Sequence, residues 1–329
     1  MQISTSRSFL ILLFSFFIFH FSFFSCKTSP LITDEAFDET GFLPLDRGAF
    51  AYIIIDVPKA RPILNNTNFV NMNDKQVKQI LDKTRTAAAA VYVPWAAQGS
   101  SADRMAQRLA HRRYQLVAWG KYPASGAKAA FGANKSWENF PSEAGGEYWY
   151  SSESNLSIAM TRKKIALLAT YRDVPGTSND PLSDSEGIGI PEGFSAFRQG
   201  SIISCWLEKS GSVINQRLGS MGIPLELPAE QFFVSIVPAP EPENYKGKPR
   251  YAAIVRIEVP SAVQARALTT IFSYVRGFFP ANAGGNAVNG GAALAAILFA
   301  NPPVQDGKFL TITTSALDAE EIALLFGIF

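Results

Sequence analysis

The chain predicts an α+β protein made of two tandem split-βαβ (ferredoxin-like) repeats, each a mostly antiparallel sheet with helices on one face. Three observations carry that expectation. After Phe42 the segments alternate as strand, helix, strand, strand, helix, strand, the order of the split βαβ unit. The same order returns beyond a stretch rich in Pro, Gly, Ser and Asp, Pro175 to Pro191. The best-matched segments, Tyr114 to Asn139 and Tyr251 to Gly277, each open on Tyr, run as a strand, break at Pro123 or Pro260 and continue as a helix.

In the first repeat, Ala49 to Val57 (AFAYIIIDV) is a β-branched run that reads as a buried strand. Asp74 to Thr86 places Val77, Ile80 and Leu81 on one helical face, with Asp74 as N-cap. Ala87 to Pro94 reads as a strand from its Val-Tyr-Val end, Ser101 to Arg112 as a short helix, and Tyr114 to Tyr122 as a strand. A helix follows from Pro123 to Trp137, and Leu156 to Thr161 with Ile165 to Thr170 forms a closing hairpin. In the second repeat, Ser201 to Leu207, Ser212 to Leu218 and Gln231 to Pro238 answer the first three elements. Val263, Ala267, Leu268, Ile271 and Val275 form the apolar stripe of the long helix. Ala296 to Ala300 and Phe309 to Thr314 answer the hairpin, with Asp306-Gly307 as its turn signal. Pro123 and Pro260 suit a first helical turn, where a missing N–H costs nothing.

The N-terminus supplies an address. Phe9 to Cys26 (FLILLFSFFIFHFSFFSC) follows a single Arg7, the layout of a secretory signal with a short cationic region and an apolar core. That core is short for a membrane span of about 20 apolar residues. Phe23-Phe24-Ser25-Cys26 resembles the lipobox of bacterial lipoproteins, with Phe23 and Phe24 where that pattern carries Leu and a small residue. The resemblance implies cleavage before Cys26 and attachment of a diacylglycerol to its thiol. Lys27 to Gly41 is polar, carries Asp34, Glu35, Asp38 and Glu39, and lacks an apolar period, so it reads as a flexible tether. The expected division is therefore a signal peptide over 1–25, a lipidated Cys and tether over 26–41, the first repeat over 42–174, a linker over 175–192 and the second repeat over 193–329.

Composition limits the chemistry. The formal net charge is +2 without a long block of like charge, so nucleic acid is not an expected partner, since phosphate binding needs a concentrated basic surface. Cys26 and Cys205 are the chain's cysteines; with Cys26 lipidated, no intramolecular disulfide forms. Cys205 sits in the apolar run Ile202 to Leu207 and reads as a buried, inert thiol. Of two histidines, His20 leaves with the signal. His111 then stands among basic neighbours at a predicted helix end. Zinc, thiol-redox, nucleophile-elbow and P-loop motifs do not occur, and no metal or cofactor is expected.

Trp95, Trp119, Tyr148 and Trp149 are candidates to line a pocket for an apolar ligand or a sugar, against the plainer reading as cross-strand packing. The Gly-rich Ala281 to Ala300, the basic turn Arg162-Lys163-Lys164 and the carboxylates Glu143, Glu147 and Glu153 carry no convergent signature. The sequence thus points to a non-enzymatic cell-envelope lipoprotein, held on a membrane through its N-terminal lipid at a periplasmic or outer surface, that binds or assembles with an envelope protein partner. The alternatives are a carrier enclosing an apolar ligand between the repeats and a carboxylate-dependent hydrolase of envelope material.

Overall fold

Antiparallel pairing organises the protein. Its computed structural model describes residues 42–43, 49–66, 78, 81–92, 113–122, 131–132, 136–142, 146–160, 165–170, 191–208, 211, 215, 226–240, 246–278, 297–298 and 300–326. The expected signal peptide, the tether, the Ser101 to Arg112 helix and most of the expected linker lie outside the described residues. The chain divides into two compact units, one of Met1–Lys59 and Asn68–Ile190, the other of Ala60–Thr67 and Pro191–Phe329.

The first unit contains β1 (Ala49–Asp56), β2 (Thr84–Tyr92), β3 (Arg113–Gly120), β4 (Glu138–Pro141), β5 (Glu147–Ser151), β6 (Leu156–Met160) and β7 (Ile165–Ala169). They lie in the order β1-β2-β3-β7-β6-β5-β4, every neighbour antiparallel. The second unit contains β8 (Ile203–Glu208), β9 (Gln231–Pro238), β10 (Tyr251–Glu258), β11 (Val304–Asp306) and β12 (Phe309–Thr313) in the order β8-β9-β10-β12-β11, again antiparallel throughout. Both units therefore share one scheme. A meander of three strands is followed by a hairpin whose second strand joins the third strand of the meander.

The α+β class and the predominance of antiparallel sheet match the expectation; the split-βαβ topology does not. That motif sets strands joined by a helical crossover parallel to each other. Here the closing hairpin, which the sequence also predicts, reverses the chain once more before it reaches the sheet. The strand that docks on β3 or β10 then runs antiparallel to it. The first unit adds β4 and β5 beyond that hairpin. Ser142 N–H donates to Gly146 C=O at 3.1 Å, so the alternation of the ladder turns the backbone of Pro141 outward. Pro on an edge strand removes a donor that no neighbour needs.

Local chemistry sets the helices. α1 (Val57–Asn66) was not legible as a helix in the β-branched run it follows. Asp56 accepts from Lys59 N–H at 3.3 Å and pairs with Lys59 Nζ at 2.9 Å, which caps the first turn, and Pro58 stands where its missing N–H is harmless. The expected helix over Asp74 to Thr86 ends earlier. Leu81, Asp82 and Lys83 are helical, but Thr84 to Thr86 already belong to β2. α2 (Glu192–Phe197) precedes β8. α3 (Ala262–Phe278) begins at an N-cap, Ser261 Oγ accepting from Gln264 N–H and donating to Gln264 Oε1. Pro260 therefore precedes the cap instead of occupying the first turn. α4 (Ala319–Phe326) begins at a capping box, Glu321 N–H donating to Asp318 Oδ1 and Asp318 N–H donating to Glu321 Oε2.

The apolar stripe of α3 needs correction. Ala265, Leu268 and Phe272 are buried, whereas Val263 is 77% exposed, Ile271 41% and Tyr274 71%. The helix carries apolar residues on two faces, and Phe272 takes the inward position that the expected stripe gave to its neighbour Ile271. The second hairpin is also displaced: its first strand is Val304–Asp306 and not Ala296 to Ala300. Gly307 makes the turn with φ +55°, which Gly adopts without steric cost.

In the first unit the central strands are buried on both faces, and every residue of β6 and β7 is buried. One face carries Ala89, Leu116, Leu168, Ile158 and Trp149 in register, packed with Phe131, Trp137 and Tyr122. The other face carries the fully buried Gln115, whose Nε2 donates to Phe42 C=O at 2.7 Å. Gly120 closes this packing, since a Cβ built there would sit 2.1 Å from Lys83 O. Gly120→Ala is therefore expected to destabilise the protein by at least about 3 kcal/mol, the upper range for a single change. A urea unfolding midpoint unchanged from wild type would contradict this packing.

Candidate functional site

The four aromatic candidates do not form one set. Trp95 lies outside the described residues. Trp149 is buried in the core beside Phe131, ring centroids 5.5 Å apart, and Phe131 in turn lies 5.1 Å from Trp137. Its neighbour Tyr148 is on the opposite face of β5, as strand alternation requires, and stacks on Phe140 at 5.7 Å. Trp119 shares the face of Tyr148 but stands on β3, with β7 and β6 between them. It is half-buried, and the Arg85 guanidinium carbon lies 5.1 Å from its ring centroid, a cation–π contact.

Nucleophiles and titratable groups are equally dispersed. Cys205 is half-buried on β8, and desolvation pushes its thiol up to about 12. The thiolate that would do chemistry is thus scarce at neutral pH. Tyr122 is buried with its hydroxyl 2.6 Å from Thr84 Oγ1, and burial raises its pKa well above the usual phenol range despite that hydrogen bond. Glu147 and Glu153 are exposed, while Glu143 and His111 lie outside the described residues. Among the described residues no group of three or more His, Cys, Asp or Glu is placed to hold a metal ion.

One face of the second unit brings together residues that sequence reasoning passed over. The register sets Trp206, Phe233, Arg256 and Thr311 side by side across β8, β9, β10 and β12. Phe233 is 3% exposed, covered by Phe194 and Phe197 of α2 with centroids 5.9 and 5.8 Å away. Trp206 is 4% exposed, and its indole Nε1 is buried without a hydrogen-bond acceptor. Arg256 is half-buried, with its guanidinium carbon 4.0 Å from the centroid of Phe309 and its Nε likewise buried without an acceptor. Lys308 is occupied by an ion pair with Glu258. The signal for this site was a lone cation in an apolar strand, Ile254-Val255-Arg256-Ile257. Buried arginines are normally paired.

The mixed α+β class with a mostly antiparallel sheet is what the comparisons with known proteins address. No protein family and no curated protein matches the sequence. Among solved structures the chain is similar to the protein TP0453. Against its crystal form III the TM-score is 0.53 at 14% identity, covering 89% of this chain and 99% of that one. Crystal form IV gives 0.52 at 13% identity with 88% and 96% covered, and crystal form I gives 0.50 at 14% with 88% and 98% covered. At that identity the likeness is one of fold, and it extends over nearly the whole of both chains.

Two outcomes follow for these residues. Trp149→Ala should cost about 3–5 kcal/mol as a core truncation, and Trp119→Ala only about 1 kcal/mol, measured by denaturant unfolding of each variant; equal costs would mean that Trp119 is core as well. Cys205 should resist iodoacetamide at pH 8 in the native protein and react fully in urea. Its folded pKa is raised above the unfolded value of about 9, so the stability it contributes is complete below pH 9 and falls as pH rises toward 12. Rapid native labelling at pH 8 would show the thiol to be solvated.

Proposed function

We propose that the protein is a non-enzymatic lipoprotein of the cell envelope, tethered to a membrane through Cys26 and presenting two units of like strand order as a binding or assembly module. The observation that carries this reading is the apolar run from Phe9 that ends at Ser25-Cys26, preceded by Arg7 and followed by a polar, acidic stretch. A single acyl chain anchors only marginally, and two or more anchor stably at about 0.8 kcal/mol for each buried CH₂. A diacylglyceryl group on Cys26 would therefore hold the protein on its membrane at a periplasmic or outer surface.

Other observations support the module over the catalyst. The fold likeness to TP0453 runs through both units. The described candidate nucleophile, Cys205, has a thiol pushed toward the protonated form, and Glu147 and Glu153 are exposed loop-end carboxylates without the buried setting that tunes an acid or base. The shared scheme of meander and hairpin is read as an internal duplication, and the partner as another envelope component.

Metabolic labelling with a fatty acid and intact mass of the protein from its native cells test the anchor. Wild type should carry label and partition into the detergent phase, and Cys26→Ala should lose both. An unmodified Cys26 would overturn the lipoprotein reading.

A further inference from the structure

We infer that the open part of the second unit's sheet, around Arg256, is a binding site for a carboxylate carried on an apolar body. The inference rests on the reading of the protein as a binding module but not on its lipid anchor. Arg256 projects from β10 onto the face shared with Phe233, Thr311 and Trp206. It is half-buried, its Nε is shielded from water without an acceptor, and among the described residues no carboxylate is paired with it. An arginine in that position has lost hydration and gained only the ring of Phe309. A carboxylate restores what is missing, because the guanidinium presents a planar fork of donors that matches it.

The surroundings argue for a ligand with an apolar body. Ile254, two residues before Arg256 on the same face, is half-buried, as are Phe309 and Thr311, while Thr313 is exposed. On the other side stands Phe233 under α2, and beyond it Trp206 with its own unpartnered Nε1. Two strand spacings separate Trp206 from Arg256, about 10 Å between their Cα atoms. Phe233 and Trp206 are buried under this end of the sheet, so the accessible part offers one cationic donor, Arg256, flanked by Ile254, Phe309 and Thr311. The charged neighbours do not fill the role. Glu258 lies on the same face, but Lys308 engages it, and Asp306 stands exposed on the edge strand beyond Phe309. Sites that take small ligands combine an apolar lining with a few such polar groups.

The test uses the full-length protein in a non-ionic detergent, titrated calorimetrically with 4-phenylbutyrate at neutral pH. Separate titrations use 4-phenylbutan-1-ol, which lacks the charge, and inorganic phosphate, which lacks the apolar body. The expected result is saturable binding of the carboxylate, at least tenfold weaker binding of the alcohol and of phosphate, and at least a tenfold loss in Arg256→Gln. If that variant fails to fold, Arg256→Lys takes its place, with a loss of three- to tenfold. Absence of carboxylate binding, equal binding by the alcohol or by phosphate, or unchanged affinity in the arginine variants would overturn the inference. Unchanged lipid labelling in the same variants separates its failure from failure of the anchor.

Discussion

The antiparallel pairing of β3 with β7, and of β10 with β12, is the constraint on which each unit depends. Either pairing joins segments far apart in sequence, so its formation fixes the direction of a closing hairpin and covers one edge of a three-stranded meander. Everything local then follows from parity. Once Leu116 faces Leu168, the chain of partners Ile158 and Trp149 is committed to one core face, and Gln115, Ser157 and Tyr150 to the other. A slip by one residue would exchange the faces. That exchange would drive Gln115 away from its acceptor at Phe42 and leave its buried amide unsatisfied, at a cost of about 1–3 kcal/mol.

The two units spend the same strand order differently. In the first, the inner strands are sealed on both faces, and buried polar side chains are met from within, Gln115 by Phe42 C=O and Thr84 by Tyr122. In the second, strand β10 alternates strictly between buried and half-buried residues, the signature of a sheet with one packed face. Tyr251, Ala253, Val255 and Ile257 lie on the packed face, while Ala252, Ile254, Arg256 and Glu258 remain accessible. That alternation decides where a binding site can be built. A sealed sheet offers a ligand nothing without unpacking its core, but a half-covered one offers a formed surface.

The strands were legible because burial on a pleated surface selects β-branched and aromatic residues, as AYIIID, QFFVSIV and YAAIVRI show. The correspondence between the two halves was legible in part for the same reason: β1, β2, β3 and β7 answer β8, β9, β10 and β12 in strand order, whereas Ala296 to Ala300 does not supply the counterpart of β6, and β4 and β5 have none among the described residues. The direction in which the final element docks was not legible. The closing hairpins themselves were, but which strand each docks on is decided by long-range pairing, which leaves no local pattern. The α3 stripe was misread because that helix offers two apolar stripes, Val263-Ala267-Ile271 and Ala265-Leu268-Phe272. Periodicity weighs both alike, and packing against the sheet chooses. α1 was hidden by its proximity to a strong strand, although Asp56 followed by Val57-Pro58 is a helix-start signal. The aromatic candidates failed as a set because Tyr148 and Trp149 are sequence neighbours in a strand, and such neighbours face opposite ways.

Arg256 illustrates what sequence pattern and structure contribute in turn. In the sequence it interrupts an apolar strand once, a departure that a solvent-facing position of a half-buried sheet explains without any function. The register changes its meaning, because it places the residue beside Phe233 and Thr311 rather than beside an acid. The nearest acid on its strand, Glu258, is held by Lys308 from the turn of the closing hairpin, so the hairpin that sets the topology also leaves Arg256 without a counter-ion. A replacement of Lys308 that frees Glu258 would let that carboxylate turn toward Arg256 and compete with any external one. The chemistry of this face is therefore set by the same pairing of β10 with β12 that sets the fold.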